Sequence, residues 1–169
     1  SKFTGGDTAG AIAGRSEGTI TGVETLGNRV EVTGVDATTT VMRGNGSDVK
    51  VGENVTIGAA GGIVGVNNGT IENSSASDTV IAGERAETDD NFMTVAGGVA
   101  GINQSGGGMI MSVTSTSAVL TDMPSDTNDK SITHGLGGIV GVNEGMIWDV
   151  AAFGATNGTY GALLNPSNE

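Results

Sequence analysis

Gly61-Gly62-Ile63-Val64-Gly65-Val66-Asn67-Asn68-Gly69-Thr70-Ile71 is one of four versions of a single phrase. It is preceded by Gly10-Ala11-Ile12-Ala13-Gly14-Arg15-Ser16-Glu17-Gly18-Thr19-Ile20, and followed by Gly97-Gly98-Val99-Ala100-Gly101-Ile102-Asn103 and Gly137-Gly138-Ile139-Val140-Gly141-Val142-Asn143-Glu144-Gly145-Met146-Ile147. Self-similarity of this kind marks a repeat architecture, in which each unit buries its apolar face against its neighbour and not in a closed core of its own. The starts at residues 10, 61, 97 and 137 are unevenly spaced, so each interval carries more chain than the motif.

That extra chain alternates. Arg29-Val30-Glu31-Val32-Thr33, Asp48-Val49-Lys50-Val51 and Asn54-Val55-Thr56-Ile57 fill the first interval, Thr79-Val80-Ile81 the second and Ala118-Val119-Leu120 the third. Period-two alternation over short runs, punctuated by Gly and Asn, reads as strands and turns. No stretch has helical spacing. The two common repeating solutions are the β-propeller and the β-solenoid. Propeller blades need four antiparallel strands of about 40 residues in all, and they usually carry aromatic signatures. Here the 169 residues include five aromatics and 31 Gly. The expectation is an all-β chain, a right-handed parallel β-helix spanning residues 1–169 as one segment, with repeats at about 10–25, 61–77, 97–117 and 137–154. At one to two rungs per repeat, seven or eight rungs about 4.8 Å apart make a rod of roughly 35–40 Å.

Composition narrows the partners. Charged residues are 15% of the chain, below the usual quarter or so. Net charge is −12 with only seven Lys and Arg, which argues against nucleic acid and anionic membranes. There is no Cys, hence no disulfide framework and no thiolate chemistry. No apolar run reaches the length of about 18 residues that reads as a membrane span, and Ser1 opens in mid-pattern without a signal peptide. The chain therefore reads as a piece of a longer exported protein.

Within the motif, the glycines are expected to let rungs approach and to turn with positive φ, while Ile63 and Val64 supply apolar content to a Gly-Gly-Ile-Val-Gly strand. The equivalent positions Ser16, Asn67, Asn103 and Asn143 suit a hydrogen-bonded ladder, as Asn side chains form in stacked strands. Ile20, Ile71, Ile110 and Ile147 form an inward column. Val23, Ser74, Val113 and Val150 follow three residues later instead of two, which implies a corner at Gly22, Asn73, Ser112 and Asp149. Alternation places Trp148 outward, covering the end of the rod.

Gly61 to Ala76 resembles the bacterial GLUG repeat, whose pattern is G-G-L-V-G-x-N-x-G-x-I-x-N-S-Y-A. The likeness is closest there and in residues 137–152. It weakens in 97–115, where Gln104 to Gly107 lengthen the turn, and again in 10–25, where Ala11 and Ser16 replace Gly and Asn; Ser75 stands at the Tyr of the pattern. These windows cover less than half the chain. The resemblance implies a non-enzymatic structural or adhesive segment of a secreted or cell-surface bacterial protein, such as a haemagglutinin-like adhesin or the non-catalytic part of an IgA-specific metalloendopeptidase. The alternative is an accessory segment of a secreted protease or carbohydrate-active enzyme. Neither brings catalytic residues to carry over.

Bottom-up, no catalytic, cofactor or metal site emerges. His134, the single histidine, sits in the polar insertion Asp122 to Gly135 and reads as a solvated loop residue, since zinc needs several clustered ligands. Carboxylates collect in two insertions, residues 83–94 and 121–135. Calcium rolls repeat Gly-Gly-x-Gly-x-Asp, and the motif here has Asn where they have Asp. The insertions are expected on one side of the rod, with Glu84, Arg85, Glu87, Asp89, Asp90, Asp126, Asp129 and Lys130 as candidate contacts to a host or surface protein or a glycan. Unpaired end rungs also permit end-to-end self-association.

Overall fold

Short runs of Val, Ile, Thr and Ala separated by glycine cannot close a core alone, so their strands pair with the same run in the next repeat. The computed structural model describes residues 1–33, 38–42, 54–83, 92–121, 133–154 and 156–157. Strand β1 (Lys2–Gly5) precedes the first repeat. That repeat supplies β2 (Thr8–Gly10), β3 (Ala13–Ser16), β4 (Thr19–Thr21) and β5 (Glu24–Val32), and β6 (Thr39–Met42) follows. The second repeat supplies β7 (Asn54–Gly61), β8 (Val64–Asn67) and β9 (Thr70–Ala82). The third supplies β10 (Phe92–Gly97), β11 (Ala100–Asn103), β12 (Met109–Ser115) and β13 (Ala118–Thr121). The fourth supplies β14 (Thr133–Gly137), β15 (Val140–Asn143), β16 (Met146–Ala152) and β17 (Thr156–Asn157).

The chain is all-β, and its strands lie in three sheets through which every repeat passes in the same order. One sheet runs β2, β7, β10, β14; the next runs β3, β8, β11, β15; the long one contains β4 and β5, then β9, then β12 and β13, then β16 and β17, with β1 beside β5. Among the described residues the pairings are parallel, except that β6 runs antiparallel beside β7. Register is kept from repeat to repeat: Gly10, Gly61, Gly97 and Gly137 align, as do Ile20, Ile71, Ile110 and Ile147.

Three expectations need correction. Gly-Gly-Ile-Val-Gly is not a strand: one strand ends at Gly61 and the next begins at Val64, with a bend at Gly62 and Ile63 between them. Among the described residues each repeat therefore makes one level crossing three sheets, four levels in all, with β1 as a further strand on the long sheet. At about 4.8 Å per level the first and last strands of the middle sheet lie about 15 Å apart. The glycines at the bend serve close approach and not positive φ, because the described glycines with positive φ are Gly22, Gly27 and Gly106, none of them in that bend. A Cβ on Gly61, Gly97 or Gly137 would collide with the carbonyl oxygen of Val64, Ala100 or Val140, across the bend.

The core falls into three apolar columns. Ile63, Val64, Ile71, Ala76 and Val113 with their equivalents fill the angle between the middle and long sheets. Ala60 and Ala96 pack on Val30, Val80 and Val119 of the long sheet. Ile57, Ala59 and Val95 pack on Val66 and Ile102 of the middle sheet. The sheet containing β7 and β10 is thus covered on both faces, which is why its sequence alternates so weakly. The inferred corner is present: Gly22, Asn73, Ser112 and Asp149 have φ of 65°, 49°, 51° and 52°, bending the long strand so that Ile and Val three residues apart both turn inward.

Candidate partner-binding surface

The connections that carry the acidic candidates start from one corner. Val32, Ala82 and Thr121 are register neighbours at the end of the long sheet, and the chain returns at Phe92 and Thr133, which begin adjacent strands. The second connection is tied at its neck: the Gly83 amide donates to the Val32 carbonyl at 2.8 Å, and the buried Thr94 hydroxyl donates to the Gly83 carbonyl at 2.8 Å. Departure at Gly83 and return at Thr94 are therefore held together. Glu84, Arg85, Glu87, Asp89, Asp90, Asp126, Asp129 and Lys130 lie outside the described residues. His134 is a correction. Its backbone belongs to β14 and is in register with Thr94, because the alternation resumes at Thr133, earlier than the polar composition suggested.

A second polar feature is buried. The Asn67 side-chain amide donates to Asn103 Oδ1 at 2.8 Å, and Asn103 in turn donates to Asn143 Oδ1 at 2.9 Å. Each amide also closes its own turn: Asn67 Nδ2 donates to the Gly69 carbonyl at 2.9 Å and Asn143 Nδ2 to the Gly145 carbonyl at 3.2 Å. Asn67 and Asn103 are completely buried, and such sites tolerate an amide only when its donors and acceptors are satisfied. The expected ladder exists through Asn67, Asn103 and Asn143 and consumes their polar groups, but Ser16, though in register with Asn67, is not linked to it by its side chain. The third turn is lengthened as expected, spanning residues 105–107.

Sequence reading missed Asp78. It is 4% exposed, at an inward position of β9. Its Oδ1 accepts from the backbone and side-chain amides of Asn28, both at 2.9 Å. Its own amide donates to Ser117 Oγ at 3.0 Å, and that hydroxyl donates to the Gly98 carbonyl at 3.2 Å. The carboxylate therefore secures the irregularity in β5 where Gly27 takes φ of 68° and the pairing with β9 shifts. Asp78 Oδ2 and the hydroxyl of Thr25 have no hydrogen-bond partner. The available signal was a carboxylate falling on an inward position of an alternating run.

Among the described residues, no group of three or more His, Cys, Asp or Glu is placed to hold a metal ion. No described helix is long and apolar enough to cross a membrane. On the outer face of the long sheet, Thr21, Glu72, Met111 and Trp148 form one column, and Ser112 Oγ donates to Asp149 Oδ2 at 2.7 Å. No protein-family model, no curated protein and no solved structure matches this chain.

Proposed function

We propose that the chain is a right-handed β-solenoid segment of a secreted or surface-attached bacterial protein, a non-enzymatic stalk that presents the connections at one corner to a protein or glycan partner. The observation that supports this most is the fourfold register, in which the inward Ile side chains of all four repeats, and the Asn side chains of the last three, meet their counterparts one level on. Such a body gains stability by adding levels, and it leaves its variable chemistry to the connections. The right-handed sense follows the general rule for parallel strands joined by a crossover. The likeness of residues 61–76 and 137–152 to GLUG repeats supports the bacterial surface setting.

The test is to replace residues 84–91 and 122–132 with short Gly-containing turns. Thermal stability and the adhesion of beads coated with the chain to epithelial cells and to a glycan array are then compared with the unaltered protein. A folded variant with lost adhesion is expected. Full adhesion of a folded variant would reduce the segment to a spacer.

A further inference from the structure

The turn that follows β8 on the second level carries an Asn-Gly pair. The residue before the turn glycine is Glu17 in the first level and Glu144 in the fourth, and Gln104 opens the lengthened third turn; among the four motif turns only the second has Asn68-Gly69. Asn followed by Gly is the dipeptide most prone to spontaneous deamidation, because glycine has no side chain to hinder its own nitrogen as it approaches the neighbouring side-chain carbon. Asn68 is partly buried and lies between the turns of the first and third levels. Its amide donates to the Ser16 carbonyl at 2.8 Å, and a Cβ on Gly107 would come within 2.9 Å of its Oδ1.

The nitrogen that would react is already engaged. The Gly69 N–H donates to Asn67 Oδ1 at 3.2 Å, while Asn67 Nδ2 donates to the Gly69 carbonyl at 2.9 Å, to Asn103 Oδ1 at 2.8 Å and to the Met109 carbonyl at 3.3 Å. Three acceptors around Nδ2 fix which way the amide faces: turned over, it would set Oδ1 against those three oxygens and Nδ2 against the Gly69 N–H. The ladder therefore keeps an acceptor on that N–H. On the opposite side a Cβ on Gly69 would collide with the Gly18 carbonyl oxygen, so the first and second turns are stacked backbone on backbone.

We propose that Asn68-Gly69 is a spontaneous modification site held shut by the amide ladder, and that its conversion records opening of the second turn. When the turn opens, the Gly69 nitrogen gives its proton to solvent and bonds to Asn68 Cγ. The Cγ–Nδ2 bond breaks and ammonia leaves, carrying the equivalent of that proton, so a succinimide remains. Water then opens the ring at either carbonyl, giving aspartate or isoaspartate; water is the only co-reactant. The two products differ in consequence. Aspartate at position 68 sets a carboxylate where the first and fourth levels already have Glu17 and Glu144, and the turn can close again. Isoaspartate adds a methylene to the backbone where Gly69 meets Gly18, and the turn cannot restack.

The test incubates the full chain at neutral pH and follows Asn68 by peptide-map mass spectrometry, with a synthetic peptide of residues 64–73 as the open reference. Conversion in the folded chain should be slower than in the peptide by about fivefold or more, the factor that breaking one hydrogen bond supplies. Urea below the unfolding transition should raise it in step with amide exchange at Gly69. Two substitutions each remove one member of the ladder. Asn67→Ala takes the acceptor from the Gly69 N–H, whereas Asn103→Ala shortens the ladder and leaves that acceptor in place, so Asn68 should convert faster in Asn67→Ala. Equal conversion in the two folded variants, or a folded chain that converts at the rate of the peptide, overturns the proposal. Should Asn67→Ala not fold, the unaltered chain decides alone, and conversion indifferent to urea overturns the proposal as well. Asn68→Asp should melt with the unaltered protein, and a sample enriched in isoaspartate should melt clearly lower. Equal melting of all three removes the recording step.

Discussion

Ile71 and Ile147 occupy the same column at different depths. Ile71 is completely enclosed by the levels on either side, while Ile147 on the last level is only partly buried. Replacing Ile71 with Asn removes a buried aliphatic group and leaves an amide without partners, which should cost about 3–5 kcal/mol. Ile147→Asn should cost clearly less. Urea unfolding of the two variants measures both; equal losses would show that the last level is enclosed too. Asn73 tests the corner. With φ of 49° and an exposed side chain, Asn73→Gly should leave stability unchanged or slightly raised, whereas Asn73→Val should lower it by about 1–2 kcal/mol, because a β-branched residue is strained there. Similar midpoints for the two variants would remove the corner as a strained position.

At the scale of the element, what was legible in the sequence was whatever recurs. The Ile column, the Asn column and the corner each appear once per repeat, and a residue that reappears at one position in a stack must face its own copies. What stayed hidden was set by single, unrepeated circumstances. Glycine strands buried on both faces give no alternation, so the bend at Gly62 and Ile63 that divides β7 from β8 reads in the sequence as a strand. Strand β6 has no counterpart among the described residues of the later repeats, and only its neighbours reveal it: Asp7 accepts from the Thr38 amide at 2.9 Å and from its hydroxyl at 3.2 Å, tying the start of β6 to the start of β2. Asp78 was passed over because its task, securing a shift between β5 and β9, occurs at one level only. The acidic candidates rest on composition alone, which says where charge is and not what it touches.

For the molecule as a whole, the described levels are held by contacts from one level to the next, and among the described residues no group of three or more His, Cys, Asp or Glu is placed to hold an ion. Excess EDTA should therefore leave the melting temperature within about one degree, since a group that binds only the native state raises the melting point and its removal lowers it. A large drop reversed by Ca²⁺ would place a site in the acidic connections. The ion pair of Arg29 with Glu31 at 3.2 Å, half-exposed at its arginine, contributes little in either case.

Strand β6 has a kinetic meaning. Every parallel pairing joins one repeat to another or β1 to β5, so those contacts close only after long loops have been ordered, and chains built this way fold slowly. Met42 with Asn54 is the pairing nearest in sequence, and the β6–β7 hairpin can form before any level has a neighbour to stack on. It acts as a seed: a finished edge on β7 that later repeats extend in one direction. Gly substitutions at Thr40 and Val41 should then slow refolding after a denaturant jump while leaving the unfolding rate nearly unchanged. Faster unfolding with unaltered refolding would place the start of assembly elsewhere in the stack.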